Sequence, residues 1–174
     1  GLLFRTSEAL ERAGKIDTVV LDKTGTITQG RPTVTDIVLN GSNLSEDQVL
    51  YAAASAEKGS EHPLAEAIVA AATERGLNFG QLHAFRAIEG QGINANIDGQ
   101  EILVGSPRMM QTMGVHLNGL EQTVTRLQAE AKTAMVTTIN GEVAGIIAVA
   151  DSLKAGSVEA IAELHRLGLE VIML

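Results

Sequence analysis

Residues 22–26, Asp-Lys-Thr-Gly-Thr, hold the densest chemistry in this chain. They offer a carboxylate, an ammonium, two hydroxyls and a glycine for a tight backbone. Just before them stands Val19-Val20-Leu21, an apolar, β-branched run too short for a helix, so residues 17–21 read as a buried strand. In an open parallel sheet, chemistry gathers at the carboxyl ends of strands, which is where Asp22 stands. The inventory suits phosphoryl transfer. A carboxylate can attack phosphorus and form an acyl phosphate. Lys23, backbone N–H groups and the hydroxyls of Thr24 and Thr26 can hold phosphoryl oxygens. Mg2+ would bridge nucleophile and phosphate and offset their repulsion. Taken alone, an Asp after an apolar strand more often just caps a turn.

A second set of candidates lies further along. In Ser60-Glu61-His62-Pro63-Leu64 the proline confines His62 to extended backbone and starts a helix, whose first turn leaves N–H groups free. An imidazole there can stack on a purine or hydrogen-bond to it; alone, it reads as a helix cap. Glu57, near a helix end, reads on its own as a solvated charge. Gly90-Gln91-Gly92-Ile93 would let backbone approach a ligand without a Cβ in the way, though a lone Gly-x-Gly is by default a turn. Gly105 precedes Ser106-Pro107, a helix-cap pattern. Met109, Met110 and Met113 have helical spacing and read as core, not as soft-metal ligands. His83, His116 and His165 lack paired ligand spacing and read as surface residues.

The elements that would position these residues fall into two textures. The outer pieces pair strands 17–21 and 169–174 with helices 7–14 and 154–167, the latter carrying Val158, Ile161, Leu164 and Leu167 on one side. Between them, Ser45-Glu-Asp-Gln48 fits a capping box for a helix running to about Glu57, and a second helix follows Pro63 to Gly76. Residues 33–39, 83–89, 93–97, 101–104, 134–139 and 143–149 read as strands. Asp98-Gly99 and Asn140-Gly141 form tight hairpins, and 107–113 and 120–131 are helices.

With 174 residues, 45% hydrophobic and 20% charged, the chain is globular and makes one or two domains. The net charge of −8 disfavours a nucleic-acid partner. With no Cys, disulfide frameworks, Cys-zinc sites and thiol catalysis are excluded. No apolar run approaches ~20 residues, so nothing here is expected to span a membrane.

The run Asp22-Lys-Thr-Gly-Thr-Ile-Thr28 after a strand resembles the phosphorylation signature of the P-type ATPases, ion pumps with a haloacid-dehalogenase-like catalytic domain. The resemblance implies an α/β fold: a Rossmann-like parallel-sheet phosphorylation domain, incomplete, over residues 1–31 and 149–174. An α+β nucleotide-binding domain, an antiparallel sheet flanked by helices, would be inserted over 32–148. It implies Asp22 as the phosphorylated nucleophile, Lys23, Thr24 and Thr26 as its catalytic companions, and Mg2+ on Asp22 and on the Thr24 backbone carbonyl. Phosphatases of the same superfamily carry a second Asp two positions after the nucleophile; Thr24 there favours a pump, whose phospho-enzyme must persist.

Ser60-Glu61-His62-Pro63-Leu64 resembles the His-Pro motif of the heavy-metal-transporting subgroup. That implies ATP held by Glu57 at the adenine amino edge, by His62, and by Gly90, Gly92, Ile93 and Gly105. Ser106 departs from the subgroup's Asn. Asp151 resembles the acid at the return into the catalytic domain, with a helix-cap role as the alternative. The pattern is most similar to copper(I)/silver(I) exporters, with zinc/cadmium/lead pumps second. The implied partners are ATP and the rest of a longer chain: the remaining phosphorylation domain, an actuator domain and membrane helices holding the transported metal. This region would lie on the cytoplasmic side of the membrane, bind nucleotide and turn over little by itself. Two alternatives stay open: a soluble phosphatase with a cap domain, and a non-catalytic nucleotide-binding module.

Overall fold

A computed structural model describes residues 6–41 and 43–174. The chain divides into two compact units, one from the segments up to Arg31 and from Asp151 onward, the other from Pro32–Ala150. It passes from one to the other inside two long strands, β2 (Thr28–Leu39) and β7 (Glu142–Leu153).

The larger unit is built on an antiparallel sheet in the order β2-β7-β6-β5-β4-β3, with β3 (Leu82–Ile88), β4 (Gly92–Ile97), β5 (Gln100–Gly105) and β6 (Thr133–Ile139). Helices α2 (Glu46–Glu57) and α3 (Pro63–Glu74) cover one face, and α4 (Pro107–Thr112) and α5 (Glu121–Ala129) cover the other. Burial alternates with strand period: Met135, Ile147 and Val149 pack toward α2 and α3, while Ala134, Val136, Ile146 and Ala148 pack toward α4 and α5. A strand buried on both faces has no polar side to show. That is why residues 143–149 are an unbroken apolar run.

Local chemistry behaves as the residue types require. Ser45 and Gln48 form the full capping box of α2. Asp98 and Asn140 both adopt positive φ ahead of their glycines, the backbone a two-residue hairpin demands.

The smaller unit contains β1 (Thr18–Leu21) and β8 (Glu170–Met173), paired in parallel, with helices α1 (Ser7–Ala13) and α6 (Ser157–Arg166). Three expectations change. Strand β1 is not fully buried, and Val20 is 54% exposed, because a two-stranded sheet cannot cover both faces of its strands. Helix α6 starts at Ser157, since β7 continues to Leu153 and Gly156 takes a left-handed turn; Val158 and Leu167 then lie exposed. Met113 caps the end of α4 and is exposed, unlike the buried Met109 and Met110. Among the described residues, no helix is long and apolar enough to cross a membrane.

Candidate functional site

Two constellations stand out, one in each unit. In the smaller unit, Asp22 follows β1 at its carboxyl end, as the sequence places it. Its Oδ1 accepts the Thr24 N–H at 3.3 Å, which orients the carboxylate over the irregular turn Lys23–Ile27. Lys23 N–H donates to the Leu174 carbonyl at 2.8 Å, so the residue following β8 holds the start of the turn. Asp22, Lys23, Thr24, Gly25 and Thr26 are all exposed, whereas Ile27 and Thr28 are buried. The chemistry faces outward from a turn whose far end is anchored.

That anchor is built by residues more than a hundred positions away. The Thr28 hydroxyl donates to Asp151 Oδ2 at 2.5 Å, and the same carboxylate accepts the Gly30 and Arg31 N–H groups, each at 3.2 Å. Asp151 therefore ties residues 28–31 to the start of the returning segment; it caps no helix. The Ile27 carbonyl accepts from Ser157 Oγ at 2.8 Å and from the Lys154 N–H at 2.9 Å, and Lys154 Nζ donates to the Gly25 carbonyl. Lys154, Ser157 and the anchoring role of Thr28 escaped sequence reading. Their partners are distant in the chain, and no local pattern marks such pairs.

In the larger unit, a cavity of about 340 Å3 is lined by Glu57, His62, Gly90, Gly92 and Ile93 together. Four of these five had weak or bland readings alone. Gly105 does not line the cavity, but its neighbour Ser106 does, as do Ser60, Glu89, Gln91 and Thr133. The volume is in the range of small-molecule pockets, and most of the wall is apolar, including Leu64, Ala65, Ile88 and Met135. A larger cleft of about 600 Å3 beside Leu44, Tyr51, Ile139 and Asn140 contains none of the candidate catalytic or nucleotide-binding residues.

Two polar groups of the smaller cavity, His62 and Glu57, have a defined posture. His62 is the N-cap of α3: its Nδ1 accepts the Leu64 N–H at 3.2 Å. A neutral ring held this way carries its proton on Nε2 and keeps that donor free. The cap role and a ligand-facing role thus coexist. Glu57 ends α2 and is only 3% exposed, not a solvated charge. Burial pushes its carboxyl up to about 7, with the Ser60 hydroxyl pulling weakly the other way.

Gly92 and Gly105 face each other across β4 and β5. Gly92 has φ +149, and a Cβ there would lie 2.2 Å from the Val104 carbonyl oxygen and 2.5 Å from Gly105 Cα. A side chain is therefore forbidden by the neighbouring strand itself. The close approach also lets Ser106 N–H donate to the Gln91 carbonyl at 2.8 Å.

Residues 16–174 match the family described as haloacid dehalogenase-like hydrolase. A copper-exporting P-type ATPase of Bacillus subtilis is 46% identical over 174 residues, all of this chain and 22% of that protein. A copper-transporting P-type ATPase of Rhizobium leguminosarum is 43% identical over 173 residues, 99% of this chain and 20% of its own length. This chain thus spans about a fifth of the curated relatives it matches. Among solved structures, a zinc-transporting PIB-type ATPase superposes with a TM-score of 0.83 at 34% identity, over 95% of this chain and 26% of that one. The resemblance drawn from the motifs, and the fold it implied, are borne out.

Proposed function

Because this chain belongs to the haloacid dehalogenase-like hydrolase family, we propose that it is the nucleotide-binding and phosphate-accepting region of a heavy-metal P-type ATPase. The observation behind this reading is the gathering of Glu57, His62, Gly90, Gly92 and Ile93 around one cavity. ATP fits that cavity chemically: apolar walls take the base, and polar groups fix its orientation. In the whole pump, an Asp22 oxygen attacks the γ-phosphorus of ATP, the bond to the β-phosphate oxygen breaks, and ADP leaves behind an aspartyl phosphate.

Lys23 Nζ and the hydroxyls of Thr24 and Thr26, exposed beside Asp22, are free to meet phosphoryl oxygens. Thr24 stands where a phosphatase has its second acid, so no side chain there activates water against the acyl phosphate. The donor set fits Mg2+, with the Asp22 carboxylate and the Thr24 carbonyl both hard oxygen ligands. Bound there, the ion would neutralise charge between carboxylate and phosphate. Phosphate oxygens, water and groups from the remaining phosphorylation domain would complete its shell.

The exported cargo is proposed to be a metal ion, Cu(I), since the Bacillus subtilis and Rhizobium leguminosarum relatives, more similar than the zinc-transporting structure, are copper pumps. The region would face the cytoplasm, with an actuator domain and membrane helices supplied by the rest of the pump. A titration of the chain with ATP, followed by backbone amide shifts, tests the reading. Saturable shifts are expected at Glu57, His62, Gly90 and Gly92, weakened at least about tenfold in His62→Ala. No saturable response, or one confined to the cleft beside Tyr51, overturns it.

A further inference from the structure

The nucleotide-pocket reading leaves an electrostatic question open, because its most buried polar group is an acid. Glu57 sits at the C-terminal end of α2, where the helix dipole opposes negative charge. It is 3% exposed, and Leu64, Ala65, Ile88, Ile93 and Met135 share its cavity. No ion pair among the described residues includes it. The other ionisable groups facing the cavity are His62, from the start of α3, and Glu89, from the turn after β3. Strands β4 and β6 contribute none, and the adjacent Lys58 has its ammonium over the Phe79 ring at 4.8 Å. No cation built into this wall compensates a carboxylate; the Ser60 hydroxyl favours the charged form, but burial outweighs it.

We propose that Glu57 reads the purine as a neutral carboxylic acid, its O–H donating to adenine N1 and its carbonyl accepting from the 6-amino group, so that adenine nucleotides bind with uptake of one proton from solvent. This rests on the cavity being the nucleotide pocket. The two edges are complementary only in that state. An ionised Glu57 has acceptors alone, so it keeps the bond from the amino group and faces N1 lone pair against lone pair. Guanine reverses the preference: its N1–H and 2-amino groups are both donors and suit a carboxylate. The free chain already holds this group near the balance point, since burial lifts its carboxyl to about 7. A base seated against it removes more water and favours the neutral form further.

The test compares ADP with GDP, which carry the same phosphates, so titration of the phosphates cancels. Affinities for the 174-residue chain would be measured calorimetrically from about pH 6 to about pH 8.5. If only the neutral form is competent, the ADP affinity relative to GDP falls by up to about thirtyfold across that range. At about pH 8, ADP binding in two buffers of different ionisation enthalpy should report uptake approaching one proton. In Glu57→Gln the amide donates and accepts as the neutral acid does, so its ADP-to-GDP affinity ratio should be flat with pH and its proton uptake at about pH 8 absent.

A flat ADP-to-GDP ratio in the unaltered chain overturns the proposal. So does proton uptake that persists in Glu57→Gln, which would assign the proton to His62 or Glu89. Should that variant not fold, the ADP-to-GDP profile of the unaltered chain decides alone. Binding of neither nucleotide at any pH sinks the nucleotide-pocket reading instead, a distinct result.

Discussion

Replacing Glu57 by Gln should make the larger unit more stable at alkaline pH and leave it unchanged in acid. The magnitude follows from linkage. The carboxyl titrates near 4.5 in the unfolded chain and is raised to about 7 in the folded one. Below the unfolded value both states hold the proton, and burial of the neutral acid costs nothing that depends on pH. Between about 4.5 and about 7 the folded state binds more protons than the unfolded, so stability falls as pH rises. Above about 7 the full loss is in place, ~3 kcal/mol as an upper figure. Glutamine has no proton to lose, so the difference between the two proteins should open over that window and then stay constant. Tyr51 is the only tyrosine, there is no tryptophan, and it lies in α2 within the larger unit, its hydroxyl donating to Asp98 at 2.8 Å. Urea unfolding followed by tyrosine fluorescence therefore reports this unit by itself. Stability curves for the two proteins that run parallel from pH 5 to pH 8.5 would refute the reasoning, because a solvated Glu57 would give that result.

The paired glycines of the cavity should behave differently from each other. Gly92→Ala drives a Cβ into the backbone of β5 and should cost about 3 kcal/mol or more in the same urea assay. Gly90→Ala meets nothing within 4 Å and pays only for its positive φ, about 1 kcal/mol. Asp151→Ala leaves the Gly30 and Arg31 N–H groups without their acceptor, while the Thr28 hydroxyl keeps the Lys23 carbonyl at 3.1 Å. Hydrogen exchange at Gly30 and Arg31 should then accelerate by roughly tenfold or more, with core amides such as Val136 unchanged.

How much of this could be read from the sequence depended on the range of the interaction. Hairpins, caps and the run of strands are local, and Asp98-Gly99, Asn140-Gly141 and Ser45–Gln48 form what their residue types demand. The heptad starting at Asp22 was legible because its chemistry is contiguous. Glu57 was not: the stretch Ala52-Ala53-Ala54-Ser55-Ala56-Glu57 reads as a helix running out into solvent. The walls around it come from Leu64 and Ala65 of the next helix and from β-strands that arrive 30 and more residues later. Gly92 invited a ligand-based explanation, while the obstacle is the Val104 carbonyl across the sheet. The roles of Asp151, Lys154 and Ser157 depend on partners 120 or more positions earlier, and no periodicity encodes that.

The two constellations are held in different ways, and the difference suits the chemistry proposed for each. Most groups proposed to hold the nucleotide sit on or beside a regular element: Glu57 at the end of α2, His62 capping α3, Gly92 and Ile93 opening β4, Ser106 capping α4. Discriminating one base from another requires fixed donors and acceptors, because a group that can rotate away leaves no penalty for the wrong partner. Asp22 instead lies on an exposed turn, fixed at one end by Leu174 and at the other by Ile27, Thr28 and Asp151. A nucleophile must meet a phosphorus atom that arrives from solvent, and then remain accessible when the acyl phosphate is cleared. Exposure with anchored ends meets both demands, since the carboxylate keeps its orientation through the Thr24 N–H while no side chain covers it. If this division holds, substitutions at the anchors Thr28 and Ser157 should impair phosphoryl transfer to Asp22 in a full-length pump while leaving nucleotide affinity intact, and substitutions at His62 should do the reverse.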